Sequence, residues 1–349
     1  MAVEVKIKKD FGSFVLNVQF SSEDNRIGIL GASGCGKTMT LKCIAGIETP
    51  DEGRIAIGDR VFFDSKKKVN LPARDRKIGY LFQNYALFPH MTVEANIGIG
   101  IRMKGQGKNQ RIKELIDKFQ LNGLEKRYPS ELSGGQQQRT ALARILACDP
   151  DMILLDEPFS ALDGFLKETM QQEMQEMLKF YDGNVMMVSH SRDEIYRFSN
   201  CLAIMDQGKC LMIGKTREIF KNPGLKEAAR LTGCKNIASV EKTGDYEIWV
   251  PEWKMTLQTK EKVGDDIHYV GIRAHDLMEV QEGTENSFRM ESVGVTCAPF
   301  ETVYHLKQQG MEQEKDLWWK KNSNIEDISE SESFTKIIQL PKECLLLLI

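Results

Sequence analysis

The sequence predicts an α/β domain on a mostly parallel sheet, interrupted by a helical insertion and followed by a smaller all-β domain. Three observations predict it. Residues 152–155 and 185–188 are continuous apolar runs of the kind buried parallel strands show; residues 31–36 are glycine-rich and lie between a strand pattern and a helix pattern; from about residue 236 the pattern changes to short alternating segments. At 349 residues the chain exceeds what one core organises. The expected domains are residues 1–230, with the helical insertion at about 84–148, and residues 231–349.

The elements follow in order. Residues 3–20 alternate like antiparallel strands, and residues 26–30 form a short apolar strand running into the glycines. Helix-forming residues fill 38–45 before Gly46, Pro50 and Gly53 stop them. Ile112, Leu115, Ile116 and Phe119 recur at helical spacing, and residues 136–148 repeat that pattern with Ala141, Leu142, Ile145 and Leu146 on one face. Beyond the boundary, residues 246–250, 255–260, 269–273 and 292–296 read as strands, with turns at Gly244, Gly264 and Gly271. Residues 323–333 are polar and acidic and are expected to form a loop.

Composition narrows the function. Charged residues at 28% and hydrophobic ones at 41% describe a folded globular protein. A net charge of −3 provides no basic field, so nucleic acid is not an expected partner. The eight cysteines form no C-x-x-C pair and read as reduced intracellular thiols. Residues 1–10 lack a signal-peptide pattern, and the longest apolar run, residues 345–349, falls far short of the roughly 20 that a spanning helix needs. A cytoplasmic protein that reaches a membrane only through a partner is expected.

Gly31-Ala32-Ser33-Gly34-Cys35-Gly36-Lys37-Thr38 fits G-x-x-x-x-G-K-[ST], the Walker A pattern, in the strand–loop–helix context its chemistry requires. Glycines let backbone N–H groups converge on phosphate oxygens, Lys37 reaches the β and γ phosphates, and Thr38 is a magnesium ligand. Cys35, inside this loop, is either a thiolate favoured by Lys37 and the helix end or simply a small residue at a variable position. Asp156 and Glu157 stand at the end of a buried strand, where α/β sheets place ligand-binding groups. Asp156 suits the magnesium shell and Glu157 suits a general base for an attacking water. Leu132-Ser133-Gly134-Gly135-Gln136 opens a second helix with exposed backbone donors, a second phosphate-binding surface.

These motifs, in this order over nearly all of residues 3–223, resemble the ATP-binding cassette (ABC) ATPase family, whose signature is LSGGQ. The resemblance implies ATP and Mg2+ as ligands and a head-to-tail homodimer. There, the Walker A of one copy and Ser133, Gly134, Gly135 and Gln136 of the other enclose each nucleotide. It implies that Gln83 contacts magnesium or the attacking water, that Asp163 of Ser160-Ala161-Leu162-Asp163 crosses the dimer interface, and that His190 contacts the γ-phosphate. Phe11, or its competitor Phe14, stacks on adenine. Residues 85–93 resemble the importer segment bordering the groove for an integral membrane permease, itself served by an extracytoplasmic solute-binding protein. The alternative for this stretch is packing, with Leu87, Phe88 and Met91 filling a join.

Val270-Gly271-Ile272-Arg273-Ala274-His275-Asp276 resembles the entry to an oligonucleotide-binding-like C-terminal β domain. The chain as a whole is similar to molybdate importer ATPases at the cytoplasmic face of the membrane, the alternative being sulfate or another solute. Lys235 and Asn236 are the candidates for binding the imported anion in the C-terminal domain. A soluble regulatory ABC protein is the rival reading; the two cassettes or long coiled coil usual there are not evident in the sequence.

Overall fold

The computed structural model describes every residue except 102, 161–163, 313–314 and 323–333. Asp163 and the acidic stretch 323–333 therefore lie outside the described residues. The chain divides into two compact units, Met1–Arg217 and Glu218–Ile349.

The first unit opens with β1 (Val3–Asp10), β2 (Val15–Ser22), β3 (Arg26–Gly31) and α1 (Lys37–Ala45), then β4 (Glu52–Ile57), β5 (Arg60–Asp64), β6 (Val69–Asn70) and β7 (Ile78–Leu81). A helical stretch follows: α2 (Val93–Gly98), α3 (Gln106–Lys118) and α4 (Gly134–Ala147). The chain returns to the sheet as β8 (Met152–Asp156), α5 (Gly164–Leu178), β9 (Asn184–Ser189), α6 (Arg192–Phe198), β10 (Cys201–Asp206) and β11 (Lys209–Lys215). All eleven strands form one sheet, in the order β6-β5-β4-β1-β2-β11-β10-β3-β9-β8-β7.

The half that matters for the site is parallel: β10 pairs with β3, β3 with β9, β9 with β8 and β8 with β7, each in the same direction. β8 and β9 are buried at every position, which explains their unbroken apolar runs: a parallel strand covered on both faces has no polar side. Because these strands run together, their carboxyl ends come to one edge. The register pairs Leu30 with Ser189, Asp156 with Val188 and Leu81 with Leu155. Gly31, Gln83, Glu157 and His190 thus leave the sheet along the same rim.

Leu115, Ile116 and Phe119 are buried as their helical spacing predicts. The span 88–130 is nevertheless broken into separate short helices, because Gly100 and Gly105 interrupt it and Gly105 takes a φ of 63°.

The second unit is β-rich. After α7 (Thr216–Lys221), which crosses the division, and α8 (Lys226–Leu231), it has β12 (Asn236–Ser239), β13 (Glu241–Gly244), β14 (Glu247–Val250), β15 (Met255–Gln258) and β16 (Tyr269–Ile272). It continues with β17 (Met278–Glu279), β18 (Ser287–Ala298), β19 (Glu301–Gln308), β20 (Leu317–Asn322), β21 (Thr335–Gln339) and β22 (Leu346–Leu348). They form three sheets, β12-β16-β22, β13-β14-β15 and β17-β21-β18-β19-β20, around Trp253, Leu306, Trp319 and Ile338. Here Asn236 corrects one expectation. Its amide donates to the Trp318 carbonyl at 2.9 Å and accepts from the Trp318 N–H at 2.7 Å, so this buried side chain is used to clip β20 in place and is not presented to an anion at the surface. Lys235 lies 5.7 Å over the Trp318 ring.

Candidate functional site

The loop between β3 and α1 turns through Gly34 and Gly36, with φ of 78° and 103°. Gly36 is required twice over. Its left-handed backbone excludes most side chains, and a Cβ there would meet Leu16 Cδ1 at 2.7 Å and Phe14 Cζ at 3.0 Å. As N-cap of α1 it supplies no side-chain acceptor, so the first N–H groups of that helix stay available to a ligand.

Lys37 is 4% exposed, and its ammonium donates to the carbonyls of Gly31 and Ala32 at 2.9 Å each. Both partners are neutral. A cation held this way among backbone dipoles is poised for an anion. At the other end of α1, Gly46 closes the helix, and the fully buried Arg76 donates to the carbonyls of Cys43 and Ile44 at 2.8 and 2.7 Å. A positive group at the negative end of the dipole holds the helix in its aim.

Thr38 Oγ1 donates to Asp156 Oδ1 at 2.8 Å, and the Tyr80 hydroxyl donates to Asp156 Oδ2 at 2.7 Å. Burial, reinforced by this carboxylate, pushes the Tyr80 phenol far above its ordinary value. Glu157, next in the chain, takes a left-handed φ of 45°, uncommon for a residue with a side chain. The surroundings enforce it: Glu157 N–H donates to the Val188 carbonyl at 3.1 Å, and the Glu157 carbonyl accepts from Ser160 N–H and Oγ at 3.2 and 3.0 Å. The turn brings Glu157 Oε2 to 3.1 Å from His190 Nδ1.

Lys37, Thr38, Ser33, Gly34, Gly36 and Glu157 line one cleft of about 400 Å³, with Phe11 and Phe14 as its aromatic wall. The two rings lie 6.3 Å apart. Phe14 also walls a neighbouring cleft of about 490 Å³, whereas Phe11 belongs to the first alone.

Cys35 departs from the thiolate expectation. It is 5% exposed and lines the neighbouring cleft, and burial pushes its thiol up against the weaker opposing pull of Lys37. Its N–H is engaged by the Ala32 carbonyl at 3.3 Å.

Several predicted residues do not line this cleft: Asp156 and His190 adjoin it through Thr38 and Glu157, Gly31 and Cys35 belong to the loop beside it, and the start of α4 and Gln83 are separate from it. Ser133, Gly134, Gly135 and Gln136 sit at the start of α4, where Ser133 Oγ accepts from Gln136 N–H at 3.3 Å and Gln136 Oε1 accepts from Ser133 N–H at 3.0 Å. None of the four lines the cleft. Gln83 is exposed just past β7 and likewise does not line it.

Tyr80 and Arg76 were not singled out in the sequence. Their partners lie 76 and about 32 positions away, and no local spacing signals such contacts.

For a metal, Thr38 and Asp156 present hard oxygen donors side by side. Magnesium takes few protein ligands, usually one or two carboxylates plus phosphate, so the pair fits. Among the described residues no cluster of three or more His, Cys, Asp or Glu side chains suits a metal bound by protein alone.

A groove of about 780 Å³ lies between α2 and α3, lined by Met91, Ile99, Ile112 and Ile116 among others. The loop that reaches it at Met91 is tied down by hydrogen bonds. Buried Asn96 accepts from Phe88 N–H at 2.9 Å and donates to the carbonyls of Phe88, Met91 and Thr92, while Arg144 donates to those of Tyr85 and Ala86. Phe88 stays 44% exposed, so the packing alternative for this residue is not what the fold uses. No helix among the described residues is long and apolar enough to cross a membrane.

Known proteins resemble this arrangement. Residues 16–160 match the ABC transporter family model. An Fe(3+) ions import ATP-binding protein of Haemophilus influenzae is 44% identical over 222 residues, 62% of this chain and 62% of that protein's own length. A sulfate/thiosulfate import ATP-binding protein of Brucella melitensis is 36% identical over 281 residues, 78% of this chain and 76% of the relative. The ATP-binding cassette MJ0796, solved as a dimer in a post-hydrolysis state bound to ADP and Pi, superposes with a TM-score of 0.51 at 29% identity, over 62% of this chain and 99% of that one. The identity to the Brucella protein is sustained across three quarters of its length, and the phosphate loop, Asp156–Glu157 and His190 converge on one rim. On that basis, the chain belongs to the ABC transporter family of ATP-binding proteins.

Proposed function

We propose that this chain hydrolyses ATP as the nucleotide-binding subunit of an ABC importer, two copies pairing head to tail beneath a membrane permease. The observation that carries the reading is the buried Lys37 ammonium, bonded only to neutral carbonyls, in the same cleft as Thr38 and Glu157. An incoming triphosphate offers Lys37 and the open N–H groups of α1 their missing anion. Thr38 and Asp156 would hold a magnesium ion, which would supply charge neutralisation for the phosphates. Glu157 Oε accepts the proton of the attacking water, and His190, 3.1 Å from that carboxylate, holds it in place and faces the γ-phosphate.

The start of α4 lies apart from the cleft, which supports the paired arrangement: it serves the nucleotide of the other copy. Asp163 belongs at that interface in this reading, and Gln83 senses the permease. Phe11 is the adenine platform in this reading: of the two rings that wall the nucleotide cleft, Phe14 is shared with the neighbouring cleft. The exposed Phe88 on a hydrogen-bonded loop and the groove between α2 and α3 support docking of a permease helix.

For the solute, the relatives' names support iron(III) or sulfate and lend molybdate no support. The test is uptake into vesicles holding the chain with its permease and solute receptor, comparing labelled iron(III), sulfate and molybdate with ATP inside. Accumulation of iron or sulfate is expected. Molybdate uptake alone overturns the solute, and an absence of MgATP hydrolysis by the intact assembly overturns the function.

A further inference from the structure

We propose that Tyr80 is a positioning residue for the metal-dependent part of this site, fixing the Asp156 carboxylate so that a single oxygen, Oδ1, is left to face Thr38. The proposal rests on the reading of the cleft as a site for magnesium and ATP. Asp156 ends β8 and is only 7% exposed, so both of its oxygens need donors. Thr38 serves Oδ1 and Tyr80 serves Oδ2.

The phenol reaches this position through the sheet. Tyr80 pairs with Leu154 on the adjacent parallel strand, and its side chain extends two residues further along β8 to Asp156. The Phe82 ring, 4.3 Å from the Tyr80 ring, restricts its rotation. Thr38 Oγ1 can rotate its hydrogen away when a cation takes Oδ1; the Tyr80 bond to Oδ2 persists. A carboxylate clamped on one oxygen offers the other alone, which suits the strict octahedral geometry of magnesium. The same bond ties the strand that leads to Gln83 to the strand that carries Asp156 and Glu157.

The experiment uses the full chain and Tyr80→Phe, which keeps the ring and its contact with Phe82. A fluorescent ATP analogue is titrated in EDTA and in excess MgCl2, and MgCl2 is then titrated at fixed nucleotide. Binding in EDTA is expected to stay within about twofold of the parent, while the half-saturating magnesium concentration rises about ten- to a hundredfold, the usual effect of losing a group that orients a metal ligand. An unchanged magnesium midpoint overturns the proposal. Equal weakening in EDTA and in magnesium also overturns it, since Tyr80 would then act on the phosphate loop or the fold. A parent chain that binds the analogue under neither condition removes the nucleotide reading itself, a result visible without the variant.

Discussion

Two helices in this chain begin with glycine-rich motifs, and their starts are finished differently. At α1 the N-cap is Gly36, with no side chain to accept from the helix, and the nearest cation, Lys37, is bonded to neutral carbonyls. At α4 the N-cap Ser133 and Gln136 satisfy one another in a reciprocal capping box. The first terminus has no side chain on its leading N–H groups; the second ties up the Ser133 and Gln136 N–H groups internally and has to give up such a bond to make an external one. In the proposed reading, the difference separates a nucleotide site held within one copy from a surface that engages only when a second copy arrives.

The most drastic way to probe the first terminus is to keep binding and remove chemistry. Glu157→Gln should lower ATP turnover by about 10² to 10⁴-fold while MgATP affinity is retained, because the amide cannot take the water proton. Steady-state hydrolysis near the parental rate removes Glu157 from that role.

Lys37→Ala attacks binding itself. Losing a buried charge-assisted contact to phosphate should weaken ATP affinity by about 10- to 100-fold, measured by calorimetry on the isolated chain. Retained affinity would mean that the open N–H groups of α1 suffice and that the buried ammonium serves only the loop.

Ser133→Ala should behave oppositely. The single copy keeps its ATP affinity, whereas ATP-driven pairing, followed by light scattering with Glu157→Gln as background, weakens by roughly tenfold. The helix itself loses about 1 kcal/mol of cap stabilisation, visible as a lowered Tm. If Ser133→Ala weakened single-copy ATP binding as much as Lys37→Ala, the distinction between the two termini would collapse.

The smallest effect concerns Cys35. Its thiol is raised above the ordinary 9.0 by burial, so the thiolate is the minor form at neutral pH and grows as pH rises toward the shifted value. Alkylation read by peptide mass should therefore accelerate from pH 7 to 9 without a plateau, and at pH 7 should run about threefold or more behind exposed Cys148. A plateau below pH 8 would show that Lys37 and the helix terminus outweigh burial.

Much of the site was legible because its chemistry is local. The phosphate loop needs glycines, a lysine and a threonine within eight consecutive residues, and Asp156–Glu157 follows an apolar strand that is readable by itself. Cys35 was legible as a position but not as a state, since the loop's charge argued for a thiolate and only the packing of the loop revealed the desolvation that opposes it. Asn236 is similar: polar beside a lysine in sequence, it is spent on the Trp318 backbone 82 residues away. Ile112, Leu115, Ile116 and Phe119 mark the single helix α3 and carry no sign of the breaks at Gly100 and Gly105 that precede it.

The sequence by itself determined the parallel sheet, the order of the motifs and the residues able to hold phosphate, because hydrophobic period and loop chemistry act between near neighbours. Only the tertiary structure decided which of those residues meet. The parallel register of β3, β9, β8 and β7 carries Lys37, Asp156, Glu157 and His190 to one rim, brings Tyr80 to the far oxygen of Asp156 and leaves Ser133 elsewhere. Such contacts depend on strand pairing across tens of residues, a global property that no window of sequence contains.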